Sequence, residues 1–184
     1  MINKNNLLLL FVVFSIFIFS IYKILKTEEK LLIEYENIKG TPVVINSPQN
    51  ISGDLIIIAH GFAGSTSFMR SIAVSLASSG HIAVRFDFLG HGKNNFPFHG
   101  DVTSVNGPTQ EFLLQLNSII EIYKKKYNFS KVVLLGHSMA TDLIIRSANS
   151  RDDVKSVIGI STYSNEKLKN NFPNLLILNG EWES

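Results

Sequence analysis

KVVLLGHSMA, residues 131–140, passes from an apolar stretch through a turn of small residues into a helix-forming segment. Its first five residues have the length and composition of a strand buried on both faces. In a sharp strand-to-helix turn, the residues two before and two after the central one have to be small, and Gly136 and Ala140 meet that need. The stretch therefore predicts a strand, a tight turn with Ser138 at its centre, and a helix.

Similar apolar stretches recur along the chain and alternate with helix-forming segments. Strands are predicted at 55–59, 82–86, 131–135, 154–160 and 175–178, after two short β-prone pieces at 31–35 and 42–45. Helices are predicted at 68–78, 108–127 and 140–149, and a short, weakly helical connection at 161–174. Strands that alternate with helices form a parallel sheet covered on both faces. The sequence thus predicts an α/β fold with a mostly parallel, doubly wound sheet.

An apolar segment at 7–25 precedes this pattern, relieved only by two serines and by Lys23. As a helix rising about 1.5 Å per residue it reaches roughly 28 Å, close to the thickness of the bilayer hydrocarbon. We predict an uncleaved, single membrane anchor in contact with the lipid bilayer, with anchor and linker at 1–30 and the folded domain at 31–184. A cleaved signal peptide and a buried core helix are the alternatives. Lysines flank both ends of the segment, so the charge rule assigns no side of the membrane.

Charge and composition exclude several classes of protein. Residues 1–30 carry four Lys and two Glu, and the rest of the chain carries 13 basic and 13 acidic side chains, so the body is neutral. A neutral body argues against nucleic-acid binding. The chain has no Cys, which excludes a thiol nucleophile, and it has no glycine-rich phosphate loop after the first strand. We expect neither a metal nor a cofactor.

A second glycine-containing turn, HGFAG at 60–64, follows the strand at 55–59 and precedes a helix. Such a turn can direct the backbone N–H of Phe62 toward the space above Ser138, while the N–H of Met139 approaches from the other side. Two donors at that position form an oxyanion hole for a serine nucleophile. The structural alternative is a plain glycine turn in which His60 is hydrogen-bonded to backbone.

In order and spacing, four segments resemble the α/β-hydrolase superfamily over nearly all of 31–184: HGF at 60–62, DFLGHG at 87–92, GHSMA at 136–140 and LLILNGEWE at 175–183. The resemblance implies a serine esterase-like enzyme that hydrolyses an ester or related acyl bond of a small molecule without a cofactor. It implies Ser138 as nucleophile, the Phe62 and Met139 amides as oxyanion donors, and Glu183 as triad acid, with Glu181 as the alternative. The residues that would support the two turns are His60, Gly61, Gly136, His137 and Ala140.

The histidine of the superfamily's triad has no counterpart in this sequence. In the superfamily it follows the acid and one further strand, whereas the sequence given ends at Ser184. His91 and His99 are expected on the catalytic side of the sheet and are the candidates for a substitute base. We expect the amino-terminal portion of a longer hydrolase, with a fold incomplete at the carboxyl terminus and inactive as encoded. The alternative is a non-catalytic, membrane-tethered binding protein on the same fold.

Overall fold

The computed structural model describes residues 4–99, 108–169 and 174–180. In chain order its elements are α1 Lys4–Glu28, β1 Leu32–Ile38, β2 Thr41–Ser47, β3 Leu55–Ala59, α2 Arg70–Ser78, β4 Ile82–Phe86, α3 Pro108–Tyr127, β5 Val132–His137, α4 Ala140–Asn149, β6 Val154–Ile160 and β7 Leu175–Leu178. The predicted strands and helices coincide with these elements apart from shifts at their ends. One such shift is that α2 begins at Arg70 and not at Phe68, because residues 65–69 form turns.

The strands form one sheet in the order β1-β2-β4-β3-β5-β6-β7. Neighbouring strands from β4 to β7 run parallel to one another, whereas β2 pairs antiparallel with β4 and β1 antiparallel with β2. The short turn after β1 accounts for the antiparallel hairpin, since parallel neighbours need a long crossover connection. The prediction of a mostly parallel α/β sheet is confirmed.

Both faces of the central strands are covered by helices. On one face α3 and α4 pack against alternate strand residues, in a core that includes Phe86, Leu116 and Leu143. On the other face Met69, just before α2, and Ala73 of α2 belong to a smaller core with the remaining strand residues. All five residues of β3 are buried, as expected for a strand with neighbours on both sides and helices on both faces.

The carboxyl ends of the parallel strands lie along one edge of the sheet, and buried Asp87 joins two of the loops that follow them. Its Oδ1 accepts a hydrogen bond of 2.6 Å from the Thr66 N–H, and its Oδ2 accepts one of 2.8 Å from the Lys93 N–H. Asp87 is fully buried. Gly92 curls against it with φ +55°, where a Cβ would lie 2.3 Å from the carboxyl carbon. This carboxylate fixes the loops after β3 and β4 relative to each other.

At the other side of the sheet, β7 pairs with β6, and each of its four side chains is about half exposed. The described part of the preceding connection, 161–169, contains no helix, so the prediction of a weakly helical connection is wrong there. Residues 170–173 and 181–184 lie outside the described residues, and the latter include Glu181 and Glu183.

Helix α1 is long and apolar enough to cross a membrane. The most apolar 18 residues within Asn6–Glu28 have a mean hydropathy of 2.6, and they are exposed and not packed into the core. Only the last turns of α1 contact the domain, where the buried Glu28 forms an ion pair with Arg70 of α2. The structure therefore sets most of this helix apart from the folded body.

A cluster of ion pairs ties α3 to the segment before β6. Asp153 accepts hydrogen bonds of 2.8 and 2.6 Å from Arg151 Nε and Nη2, and it also pairs with Lys124 of α3. Partial burial raises the pKa of Asp153, but the hydrogen bonds from Arg151 and Lys124 outweigh this effect and bring the pKa down to about 2. The ionised carboxylate is therefore favoured in the folded state.

Asp153→Asn is expected to lower the free energy of unfolding at pH 7 by about 1 kcal/mol or less, since the pairs are partly solvated. A carboxylate with a lowered pKa stabilises the fold above its unfolded pKa of about 3.9 and loses that effect as the pH falls toward 2. The difference from wild type, measured by urea unfolding of the full chain in detergent micelles, should shrink over this range. The exposed Asp152, changed to Asn, is the control; equal losses in both variants would contradict the assignment.

Candidate active site

Ser138 lies at the turn between β5 and α4 with φ +51°, a backbone conformation that costs a non-glycine residue energy. Hydrogen bonds on both sides hold it there. Its N–H donates to the Ile160 carbonyl at 2.9 Å, and its carbonyl accepts from the Thr141 N–H at 2.8 Å. The Thr141 hydroxyl lies 2.6 Å from the same carbonyl. The neighbouring strand and the first turn of α4 thus impose the strained conformation on Ser138.

The small residues on either side of Ser138 are required by close packing. A Cβ placed on Gly136 would lie 2.8 Å from the Ala140 carbonyl oxygen and 2.9 Å from Ile144 Cδ1. Ala140 itself is fully buried. The predicted need for small residues two before and two after Ser138 therefore has a direct steric cause, because α4 packs against the end of β5.

The HGFAG turn lies directly against the Ser138 turn. Strands β3 and β5 are neighbours, and Ala59 is paired with Gly136 at their ends. A Cβ on Gly61 would lie 3.0 Å from the Ser138 Cβ and 3.0 Å from the His137 carbonyl oxygen. The backbone of one turn can approach the other this closely only because residue 61 is glycine.

Two backbone N–H groups border this contact, those of Phe62 and Met139. Within the described part of the chain, neither donates a hydrogen bond to another protein group. Met139 comes immediately before α4, where the unpaired N–H groups of a helix carry partial positive charge. The Phe62 side chain is largely exposed. Neither donor is therefore committed to another group in the described part of the protein.

His60 is a fixed part of the turn. Its Nε2 accepts a hydrogen bond of 3.1 Å from the Phe88 N–H, so its Nδ1 carries the proton and donates to the Gly61 carbonyl at 2.7 Å. Burial lowers the pKa of His60, which keeps the ring neutral. These contacts agree with the alternative in which His60 is hydrogen-bonded to backbone in a plain glycine turn. They do not involve the Phe62 N–H.

None of the five histidines, all of which are in the described residues, forms a hydrogen bond with the Ser138 hydroxyl. His91 Nδ1 lies 2.8 Å from the Leu89 carbonyl, and its ring packs against Phe62. His99 is exposed. Neither candidate for a substitute base is thus engaged with the serine.

His137 has a buried Nδ1 with no hydrogen-bond partner in the described part of the chain. Its ring centroid lies 5.1 Å from that of Phe68, a contact that the sequence did not indicate. The presence of an aromatic residue, Phe68, four positions after the HGFAG turn does not by itself identify His137 as its partner. Phe68 is 60% exposed, so it borders the serine turn from the solvent side.

Thr141 and Asp142 connect the start of α4 to the loop after β6. The Thr141 hydroxyl accepts from the Tyr163 N–H at 2.8 Å, and Asp142 Oδ1 accepts from the Asn165 N–H at 2.8 Å. Asp142 also pairs with Arg146 one turn along the helix. Both side chains support the turn, and no local pattern in the sequence identifies their partners.

Among the described residues, no group of three or more His, Asp or Glu side chains could hold a metal ion.

The family model described as serine aminopeptidase, S33 (Hydrolase_4), matches residues 52–182. No curated protein sequence gives a significant match. Among solved structures, TT1662 from Thermus thermophilus is 18% identical with a TM-score of 0.60, over 76% of this chain and 60% of that one. A Vigna radiata epoxide hydrolase mutant is 20% identical with a TM-score of 0.56, over 77% and 42%.

A thioesterase domain from the curacin biosynthetic pathway is 23% identical with a TM-score of 0.53, over 71% of this chain and 46% of that domain. This chain therefore spans about half the length of these structures. At such identities the likeness shows a shared fold. Because the family match covers more than half of the sequence, the chain belongs to the S33 serine aminopeptidase family and has the α/β-hydrolase fold.

Proposed function

We propose that this chain is the membrane-anchored domain of a serine hydrolase in which Ser138 attacks the carbonyl carbon of an ester or related acyl substrate. The observation that carries the proposal is the strained turn at Ser138, with φ +51°, in contact with the glycine turn at Gly61. A strained residue at the end of a strand presents its hydroxyl above the sheet. Strain of this kind persists only where the surrounding structure imposes it.

In the proposed reaction the Ser138 Oγ forms a bond to the acyl carbon while its proton passes to a base. The carbonyl oxygen becomes an oxyanion, which accepts hydrogen bonds from the N–H groups of Phe62 and Met139. The intermediate expels the alcohol, which takes the proton from the base, and water then hydrolyses the acyl-serine by the same route. The supporting residues are those that set the two turns, His60, Gly61, Gly136, His137 and Ala140.

The proposed acid is Glu183, with Glu181 as alternative; both lie outside the described residues. For the base, we propose a histidine outside the sequence given, because no histidine of this chain is hydrogen-bonded to the Ser138 hydroxyl. A serine hydroxyl without an adjacent base is a weak nucleophile. We therefore expect negligible turnover from this chain alone.

We further propose that α1 anchors the hydrolase domain in a lipid bilayer through residues 7–25. The exposed, apolar helix supports this, as does the group of amphipathic side chains at its carboxyl end. Tyr22 and two lysines lie there, with Lys26 Nζ 5.7 Å from the Tyr22 ring centroid. Aromatic and cationic side chains are enriched at the level of the lipid headgroups.

A non-catalytic binding protein on the same fold is the second candidate. It is favoured by one observation, the lack of a histidine contact to the Ser138 hydroxyl in the described structure. In that case the free N–H groups of Phe62 and Met139 would bind an anionic or carbonyl group of a ligand without reaction. The reactivity of Ser138 toward an acyl-like probe separates the two candidates.

Imidazole in solution should partly replace the missing base. The full chain in detergent micelles, treated with a fluorophosphonate probe, is expected to be labelled slowly at Ser138, and about 0.1 M imidazole at about pH 8 should raise the rate about tenfold. This is less than the roughly 100-fold or more contributed by a positioned base, because a diffusing base is not held in place. Labelling is measured by gel fluorescence and its site by mass spectrometry.

Ser138→Ala should abolish this labelling, and Ser78→Ala is the matched control because Ser78 is an exposed serine at the far end of α2. If wild type remained unlabelled at Ser138 at every imidazole concentration, the nucleophile assignment would be refuted. The binding-protein alternative would then be favoured.

Gly61→Ala should lower the imidazole-assisted labelling rate about 100-fold, the scale of losing one oxyanion donor. The new Cβ would lie 3.0 Å from the Ser138 Cβ, so the turn that carries the Phe62 N–H has to move. Gly53→Ala is the control, since its Cβ would lie 2.4 Å from His81 Nδ1 at the opposite edge of the sheet, a closer contact than any at Gly61. Equal losses in the two variants would show general destabilisation and contradict a specific role for the turn.

A further inference from the structure

A cleft of about 210 Å³, apolar on its α1 side, separates the end of α1 from the start of α2. The α1 side is formed by three aliphatic residues, Ile21, Ile24 and Leu25. The other side is formed by residues at and before the start of α2, which are Ser67, Phe68, Arg70 and Ser71. The cleft is open, and its most exposed aromatic side chain is Phe68.

The ion pair between Glu28 and Arg70 holds the two walls of this cleft together. Arg70 Nε lies 3.1 and 3.0 Å from the two Glu28 carboxylate oxygens, and Glu28 is only 8% exposed. The hydrogen bond that Arg70 donates to Glu28 raises the pKa of Arg70, so the guanidinium stays charged. The last turn of α1 is therefore fixed against α2, next to the loop that leads from the HGFAG turn.

The cleft lies at the end of the proposed anchor where lipid headgroups are expected. Tyr22 and Lys26 belong to the same two turns of α1 as the cleft residues, and Lys23 Nζ lies 5.7 Å from the Phe19 ring centroid. The preceding residues 6–20 are exposed and apolar. With those residues in hydrocarbon, the cleft opens at the boundary between hydrocarbon and headgroups.

Phe68 connects the cleft to the serine turn. Phe68 lines the cleft, and its ring centroid lies 5.1 Å from that of His137, the residue before Ser138. A chain lying in the cleft thus reaches the residue beside Ser138 by passing one aromatic ring. Phe68 is therefore a common neighbour of the end of α1 and of His137.

We infer that this cleft holds an acyl chain of a bilayer phospholipid and directs the ester carbonyl of that chain toward Ser138. The inference rests on the proposed hydrolase function and specifies its substrate as a membrane-resident acyl ester. The chain leaves the hydrocarbon along Ile21, Ile24 and Leu25 and passes Phe68. A chain in the cleft covers the apolar walls formed by Ile21, Ile24 and Leu25 and removes them from contact with water.

The test uses the full chain carrying Ser138→Ala, reconstituted in phosphatidylcholine vesicles that contain a photoactivatable palmitoyl phosphatidylcholine. Irradiation should attach the lipid to residues of the cleft, located by mass spectrometry. Ser71→Trp fills the cleft and should reduce attachment there about tenfold, the effect of losing about two buried methylene contacts. Ser78→Trp is the control, because Ser78 lies on the same face of α2 two turns further on, outside the cleft. Ser71→Leu introduces a smaller side chain at the same position, and it tests the cleft if Ser71→Trp fails to fold.

Attachment confined to the lipid-facing surface of residues 6–20, or equal attachment in the Ser71 and Ser78 variants, would overturn the cleft as an acyl site. Neither result depends on the reactivity of Ser138. A failure of the hydrolase proposal is seen separately, as absence of fluorophosphonate labelling in the chain that retains Ser138. If the cleft is labelled and the serine is not, the cleft stands as a lipid site and the ester-hydrolase reading fails.

Discussion

The contact between two backbone turns, one at Gly61 and one at Ser138, is the constraint on which the site depends. Neighbouring parallel strands β3 and β5 end side by side, so their following turns are forced together. There is no room for a Cβ at residue 136, and almost none at residue 61. The glycines therefore permit the approach, while the strain at Ser138 is held by backbone hydrogen bonds from β6 and α4.

Most of the fold could be predicted because buried strands and helices have recognisable patterns of apolar residues. Strands such as β3 and β5 are apolar throughout, since both of their faces are covered. The two site turns were also predictable, because a sharp strand-to-helix turn restricts which residues fit beside Ser138. The 161–169 segment was predicted less well, since its conformation depends on contacts with Thr141 and Asp142 from α4.

Contacts between residues far apart in the chain could not be predicted in this way. The ion pair between Glu28 and Arg70 joins residues 42 positions apart, and nothing local in the sequence pairs them. The ring contact between Phe68 and His137 has the same character. The protonation state of His60 likewise follows from the fold, because burial lowers its pKa and keeps the ring neutral. Sequence patterns identify which elements exist, and tertiary packing decides which side chains meet.

The loops after the parallel strands, the strained Ser138 and the start of α2 lie along the same edge of the sheet. Asp87 joins the loops after β3 and β4, and the loop after β3 leads through Thr66 to Phe68 and Arg70. Helix α1, which contacts Arg70, is therefore connected to the Ser138 turn through a short series of contacts. With α1 in the bilayer as proposed, this attachment would orient the Ser138 turn as well as tether the domain, because α1 contacts the edge of the sheet that carries Ser138 and not the opposite edge.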